Sequence, residues 1–248
     1  MIGVIAGKEL RLLFYSPMSW LFLALFQFIA AWLFFIQIDQ FVDLQNHMIE
    51  NNVLYNVTDR LVMPFFDSLG ILVTLFLPFL SMSIVSREYQ HQTLALLQSA
   101  PISAWDIVLG KYIALLFYAL MIVFLALIMS AVLSLGTVLD WYKVAACLLA
   151  LSLLMCLITA MGVFFSTLFE QSVVAGLVTL SCVFLSMLFG WEQSSDQGIF
   201  AYLSLQQHYK AMISGWVSTA DVVFFLLSTT LLLSWSAYKL SSAQWAES

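Results

Sequence analysis

The chain has 248 residues, of which 63% are hydrophobic and 9% charged, with a mean hydropathy of +1.01. A soluble domain typically carries about 25% charged residues, so the composition excludes one and points to an all-α polytopic membrane protein. The formal net charge is −6 and the eight Lys and Arg residues are scattered rather than gathered into a basic patch, which excludes nucleic acid as a partner.

Residues 1–16 place Ile2, Ala6, Leu10 and Leu13 on one helical stripe and Lys8, Arg11 and Tyr15 on another. That is the pattern of a helix lying in the cytoplasmic interface, with Lys8, Glu9 and Arg11 as its charged residues. Pro17 breaks it before the first span. Lys8 and Arg11 ahead of an apolar run could be read as a signal peptide. The run is too long for one, and Ile29-Ala30-Ala31 supplies no small-x-small cleavage site, so the segment is read as retained. Charge-free stretches cover 12–38, 68–86, 112–139, 144–169, 171–191 and 222–238. Each supplies roughly the 17 to 25 residues that a helix needs to cross a bilayer. The expected spans are 17–37, 66–86, 112–135, 143–167, 171–190 and 221–240, in one membrane domain. A seventh charge-free stretch, 89–105, contains Gln90, His91, Gln92, Thr93, Gln98, Ser99 and Ser103, and their cost in hydrocarbon excludes it as a span.

The segments between spans carry their own signals. Residues 39–66 read as an external loop with a short helix over 43–50. Asn56-Val57-Thr58 matches the glycosylation acceptor pattern, which is short enough to arise by chance. After span two, Tyr89, Thr93, Leu96, Leu97 and Ala100 recur at helical spacing, so a helix over 87–99 can lay one face against the membrane domain and turn Gln90, His91 and Gln98 to the cytosol. Ala100-Pro101-Ile102 ends it, and Ser103-Ala104-Trp105-Asp106 reads as a capping box that restarts the chain into span three. Glu170 is the only charge between Lys143 and Glu192, so spans four and five turn there in a tight antiparallel hairpin. An external helical segment is expected over 197–215. Ile199, Tyr202, Leu203, Tyr209 and Ile213 give it an apolar face suited to partial immersion in the membrane, and Gly215 stops it. Ser218-Thr219-Ala220-Asp221 reads as the capping box of span six.

With the N-terminus inside, Lys8, Arg11, Arg87, Lys111 and Lys239 are cytoplasmic and Arg60, Lys143 and Lys210 external, a modest positive-inside bias. Trp20, Trp141, Trp191, Trp216 and Trp235, with Tyr112 and Tyr142, sit near span ends, where amphipathic rings are favoured. Cys147, Cys156 and Cys182 fall within spans as small packing residues, and His47, His91 and His208 are isolated, so no metal ligand set is expected. No catalytic constellation is found. Neither Gly7-Lys8 nor Gly110-Lys111 is followed by Ser or Thr, so the chain lacks the phosphate-cradling loop of an ATPase. Gln27, Thr74, Ser81, Ser130, Thr159, Thr179, Ser228 and Thr230 are the polar residues within spans, and helix packing accounts for most of them.

One group of these motifs has a counterpart. Glu88, then Thr93, Leu96 and Leu97, then Ala100-Pro101-Ile102 and Ile107-Val108-Leu109-Gly110-Lys111 resemble the loop between the second and third spans of ABC-2 type permeases, the membrane subunits of one class of ATP-binding cassette transporter. Gln92 stands where that family usually has Gly. The likeness extends to Gly7-Lys8-Glu9-Leu10-Arg11 with Ser16-Pro17 and Trp20, and to Phe165-Ser166-Thr167-Leu168-Phe169. Tyr202-Leu203-Ser204, His208-Tyr209, Gly215 and Asp221-Val222-Val223-Phe224-Phe225 resemble the gliding-motility and nitrous-oxide-reductase-maturation subgroup.

The resemblance implies that 87–99 is a coupling helix docking into a cytoplasmic ABC ATPase through Arg87, Glu88, Gln92, Thr93 and Leu96. Such contacts must differ between two states to drive a switch. It implies that this chain holds no cofactor and is not an enzyme, with ATP and Mg bound by the ATPase. The expected partners are that ATPase, a second permease copy or a related permease, an external accessory subunit and membrane lipids. The expected location is the bacterial inner membrane with both termini cytoplasmic, and the expected work is export or membrane remodelling. A membrane scaffold doing mechanical or assembly work on an ABC-type ATPase is the alternative. An ion-coupled secondary transporter ranks lower, because no ionisable residue falls at mid-span.

Overall fold

The computed structural model describes residues 1–51, 56–90, 103–188 and 204–246, leaving aside the side chains of 44–51, 87–90 and 243–246. Among these the chain is all-helical: α1 (Ile2–Tyr15), α2 (Pro17–Asn51), a short π-helical turn (Thr58–Val62), α3 (Met63–Ser81), α4 (Ser83–Gln90), α5 (Ala104–Leu133), α6 (Trp141–Leu168), α7 (Ser172–Leu188), α8 (Leu205–Ile213) and α9 (Thr219–Ala246). Five helical stretches are long and apolar enough to cross a membrane: Pro17–Asp43, Thr58–Ser86, Ala104–Leu133, Trp141–Leu168 and Thr219–Ser242. The apolar helix Ser172–Leu188 is shorter.

The apolar pattern decides which helices sit inside. Only 17% of the apolar stretch of α2 is buried, against 56% for both Thr58–Ser86 and Trp141–Leu168. Accordingly α2 leaves Leu25, Phe28, Trp32 and Phe35 uncovered, as a helix flanked by lipid does, while α3 and α6 form the centre. Along α6 the buried positions include Cys147, Ala150, Ala160 and Gly162. Such small side chains let backbones approach, and close packing is the main attraction between helices where water does not drive them together. Helix α6 packs against α3, α5, α7, α8 and α9.

Several boundaries differ from the sequence reading. The helix of the first span does not stop near 37: α2 continues to Asn51, absorbing the short helix expected over 43–50. Ser103 caps α5 by accepting from Trp105 N at 3.1 Å, and α5 then runs unbroken to Leu133. Residues 169–171 connect α6 to α7 and the two pack together, the tight hairpin the lone Glu170 suggested. Gly215 ends α8 at φ 91°, a conformation that costs glycine little. Of the apolar face expected over 197–215, Ile199, Tyr202 and Leu203 lie outside the described residues. Leu205, Tyr209, Met212 and Ile213 are buried in the protein core. The Tyr209 hydroxyl donates to the Phe66 carbonyl at 2.6 Å, and its ring fills the space beside Gly70, where an added Cβ would lie 2.3 Å from a ring carbon.

Candidate functional site

Helix α3 carries Pro78 in its last turn and stops at Ser81; Met82 is a turn residue, and α4 starts at Ser83. The Ser81 side chain fits against Gly162 of α6, where an added Cβ would fall 1.8 Å from its oxygen, and Met82 lies against Gly176 of α7. The break is therefore locked between α6 and α7 rather than left as a loose joint.

A new helix leaves its first backbone N–H groups without intrahelical partners. For α4 the remedy comes from another helix. Ser166 Oγ of α6 accepts from Val85 N and from Ser86 N, each at 3.0 Å, and lies 3.1 Å from the Met82 carbonyl, to which it can donate. The Ser86 hydroxyl in turn donates to the Phe169 carbonyl at 3.0 Å. Ser86 and Ser166 are fully buried, so this N-cap works in a dry environment, where an unmade bond is expensive.

Lys111 holds the first turn of α4 from the other side. Its ammonium donates to the Ile84 carbonyl at 2.7 Å and pairs with Glu9 Oε1 at 3.0 Å, with the Lys111 side chain 1% and Glu9 13% exposed. Sequence counting treated Lys111 as a charge of the cytoplasmic loop; it is a buried residue within α5. At the residue just before it the Ile5 side chain of α1 presses close to Gly110, where an added Cβ would lie 2.8 Å from it. Ile84, Val85, Ala104, Ile107, Val108, Leu115, Ala160, Val163, Ala237 and Leu240 form one apolar cluster around this node. The root of α4 thus packs against α6 and α7 and is tied by Lys111 to α5 and, through Glu9, to α1.

The node answers where several expected site residues lie. Glu9 points inward to Lys111, while Lys8 and Arg11 face outward on α1. Arg87 and Glu88 belong to α4, with their side chains outside the described residues; Gln92, Thr93 and Leu96 also fall outside them.

At the opposite end of the bundle, charges pair with one another. Lys143 meets Asp59, Lys210 lies 3.9 Å from Asp67, and His208 Nδ1 lies 2.6 Å from Asp221 Oδ1 with its ring stacked on Phe224 at 4.3 Å. Ser218 does cap α9, accepting from Ala220 N at 3.2 Å. Asp221, expected to complete that capping box, is instead turned to His208. Burial, reinforced by nearby Cys147 and Asp67, pushes the Tyr209 hydroxyl well above the ordinary tyrosine pKa. These cations, Lys143 and Lys210, are two of those assigned to the external side from sequence, and they are separated by the bundle from Lys111.

A membrane bundle with a helix break braced by its neighbours is now joined by a direct match. The family model described as ABC-2 family transporter protein matches residues 3–240. The chain belongs to the ABC-2 transporter family. No curated protein matches the sequence. As a family member the chain is a multi-pass membrane protein of the kind that serves as the permease of an ABC transporter, a membrane subunit that is not itself an ATPase and normally works with a cytoplasmic ABC ATPase. The node around Ser86, Ser166 and Lys111 fixes the first turn of α4 to α5 and α6.

Proposed function

We propose that the permease crosses the membrane six times and that two six-span subunits form a pathway or a remodelling unit. ATP hydrolysis by a separate ATPase is transmitted to it through the segment 87–99. The observation that carries the reading is the mount of α4. Its N-cap is supplied by Ser166 and its Ile84 carbonyl is held by Lys111, so a force on α4 moves α5 and α6 rather than bending a loop.

Two topological facts support six crossings. Helix α7 begins after a three-residue connection from α6, on the side of Ser166, whereas α8 contacts Phe66 and the start of α6 at the far side. The chain must return across the bundle between them, and 17 helical residues reach about 26 Å, close to the roughly 30 Å hydrocarbon thickness. The termini also share a side: Glu9 of α1 and Leu240 of α9 both belong to the node at the root of α4. If α4 faces the cytoplasm of a bacterium, both termini do too.

In this reading Arg87, Glu88, Gln92, Thr93 and Leu96 meet the ATPase, and ATP with Mg is bound there. Affinity purification of the tagged permease from its native cells tests it. A cytoplasmic ATPase should copurify, ATP hydrolysis should follow that partner, and the complex should contain two permease copies or a permease pair. Hydrolysis by the isolated permease, or an active complex with a single permease, contradicts it.

A further inference from the structure

Helix α1 has two unlike faces. Ile5, Ala6, Glu9 and Leu13 turn toward the bundle, and Glu9 spends its charge on Lys111. The opposite face lines a groove of about 480 Å³ built from Gly3, Val4, Gly7, Lys8, Arg11, Leu12 and Tyr15. Three features of that groove bear on what fills it.

Its charge is purely cationic: with Glu9 turned inward, Lys8 and Arg11 are left without a carboxylate partner among the described residues. Its apolar residues are uncovered, with Val4 76%, Leu12 54% and Tyr15 80% exposed. Its floor is bare backbone, because an added Cβ at Gly3 or Gly7 would meet nothing within 4 Å. Bulk water does not suit exposed Val4, Leu12 and Tyr15, and hydrocarbon does not suit Lys8 and Arg11. The zone between them, where phosphates overlie acyl chains, suits both. The next residues fix that depth. Trp20, half exposed, donates from its ring nitrogen to the Phe14 carbonyl at 2.7 Å as α2 enters its membrane crossing.

We propose that this face of α1 binds an anionic phospholipid. Lys8 and Arg11 take the phosphodiester, Gly3 and Gly7 leave room for the glycerol region, and an acyl chain lies over Val4, Leu12 and Tyr15. The proposal rests on α1 lying at the membrane surface and deepens that reading by assigning the lipid class. Because Glu9 links the same helix to Lys111 and the root of α4, the bound lipid is in mechanical contact with the coupling node.

The test uses the purified full-length permease equilibrated in mixed micelles of equal parts phosphatidylglycerol and phosphatidylcholine. Each lipid retained after gel filtration is quantified by mass spectrometry. Lys8→Gln and Arg11→Gln should each lower phosphatidylglycerol retention roughly fivefold, as expected for a cation at an anionic surface, with phosphatidylcholine unchanged. Gly7→Leu, which fills the groove without altering charge, should also lower it, whereas Lys239→Gln, an exposed cation elsewhere, should not. Equal retention by all four variants overturns the proposal. So does retained phosphatidylglycerol with loss of the copurifying ATPase in the Lys8 and Arg11 variants, which assigns this face to the ATPase while leaving the permease reading intact.

Discussion

Ser166 and Ser86, separated by 80 residues in sequence, lie with the Ser166 hydroxyl 3.0 Å from the Ser86 backbone nitrogen, so α6 supplies the cap on which α4 begins. Ser166→Ala removes the acceptor for two buried N–H groups. Loss of an N-cap costs about 1–2 kcal/mol, and thermal unfolding of the purified permease should report it. Ser166→Thr keeps the hydroxyl and should cost less, provided its methyl fits.

Breaking the ion pair at the same node should cost more. Lys111→Met leaves the Glu9 carboxylate and the Ile84 carbonyl without this donor, and removing one partner of a buried pair typically destabilises by about 3–5 kcal/mol. The double variant Glu9→Leu/Lys111→Met should unfold at a higher temperature than Lys111→Met alone, since no carboxylate then stays stranded. A double variant less stable than the single contradicts the pairing.

Gly162→Ala should destabilise by about 1–3 kcal/mol through overpacking, because the new methyl overlaps the Ser81 side chain. Ser81→Gly in the same molecule should recover part of the loss. An undisturbed melting temperature in Gly162→Ala alone would show that the α3–α6 contact at the break is looser than described.

Tyr209 gives a pH dependence with a definite sign. Its folded-state pKa is raised by burial above the ordinary value of about 10. The unfolded chain therefore releases this proton first, and the contribution of Tyr209 is complete below about pH 10 and lost as pH rises beyond it. Tyr209→Phe should be less stable at neutral pH, having lost the bond to Phe66, yet decline less steeply between about pH 10 and 12. Parallel declines in the two proteins contradict the assignment.

The helices were legible because a bilayer imposes long apolar runs and because Pro17, Ser103 and Gly215 act through local backbone chemistry. The extension of α2 to Asn51 was not, since polar residues after Ile38 read as loop by composition although the helix continues. The bracing of α4 was hidden for a different reason. A serine near the end of a span is ordinarily satisfied within its own helix, and nothing local tells Ser166 to cap a helix 80 residues away. Lys111 was misplaced because counting assigns a charge at a span boundary to water, whereas here Glu9 and Ile84 meet it inside the protein. His208 and Asp221 look isolated until α8 folds back beside α9. Lys8, Arg11 and Tyr15 lie exposed on α1, on the stripe that amphipathic spacing, a local property, separates from Ala6 and Leu13.

The central claim is that the segment starting at α4 transmits work from an ATPase to the bundle. Its most direct test compares Glu88→Lys with Glu50→Lys, two equal charge reversals on segments assigned to opposite sides, in the complex with the copurified ATPase. The account predicts that Glu88→Lys abolishes ATPase stimulation or dissociates the complex while the stability of the permease changes by less than about 0.5 kcal/mol, and that Glu50→Lys leaves binding and stimulation unchanged. Normal binding and stimulation in both variants contradict it and reduce the segment to a connection between α4 and α5.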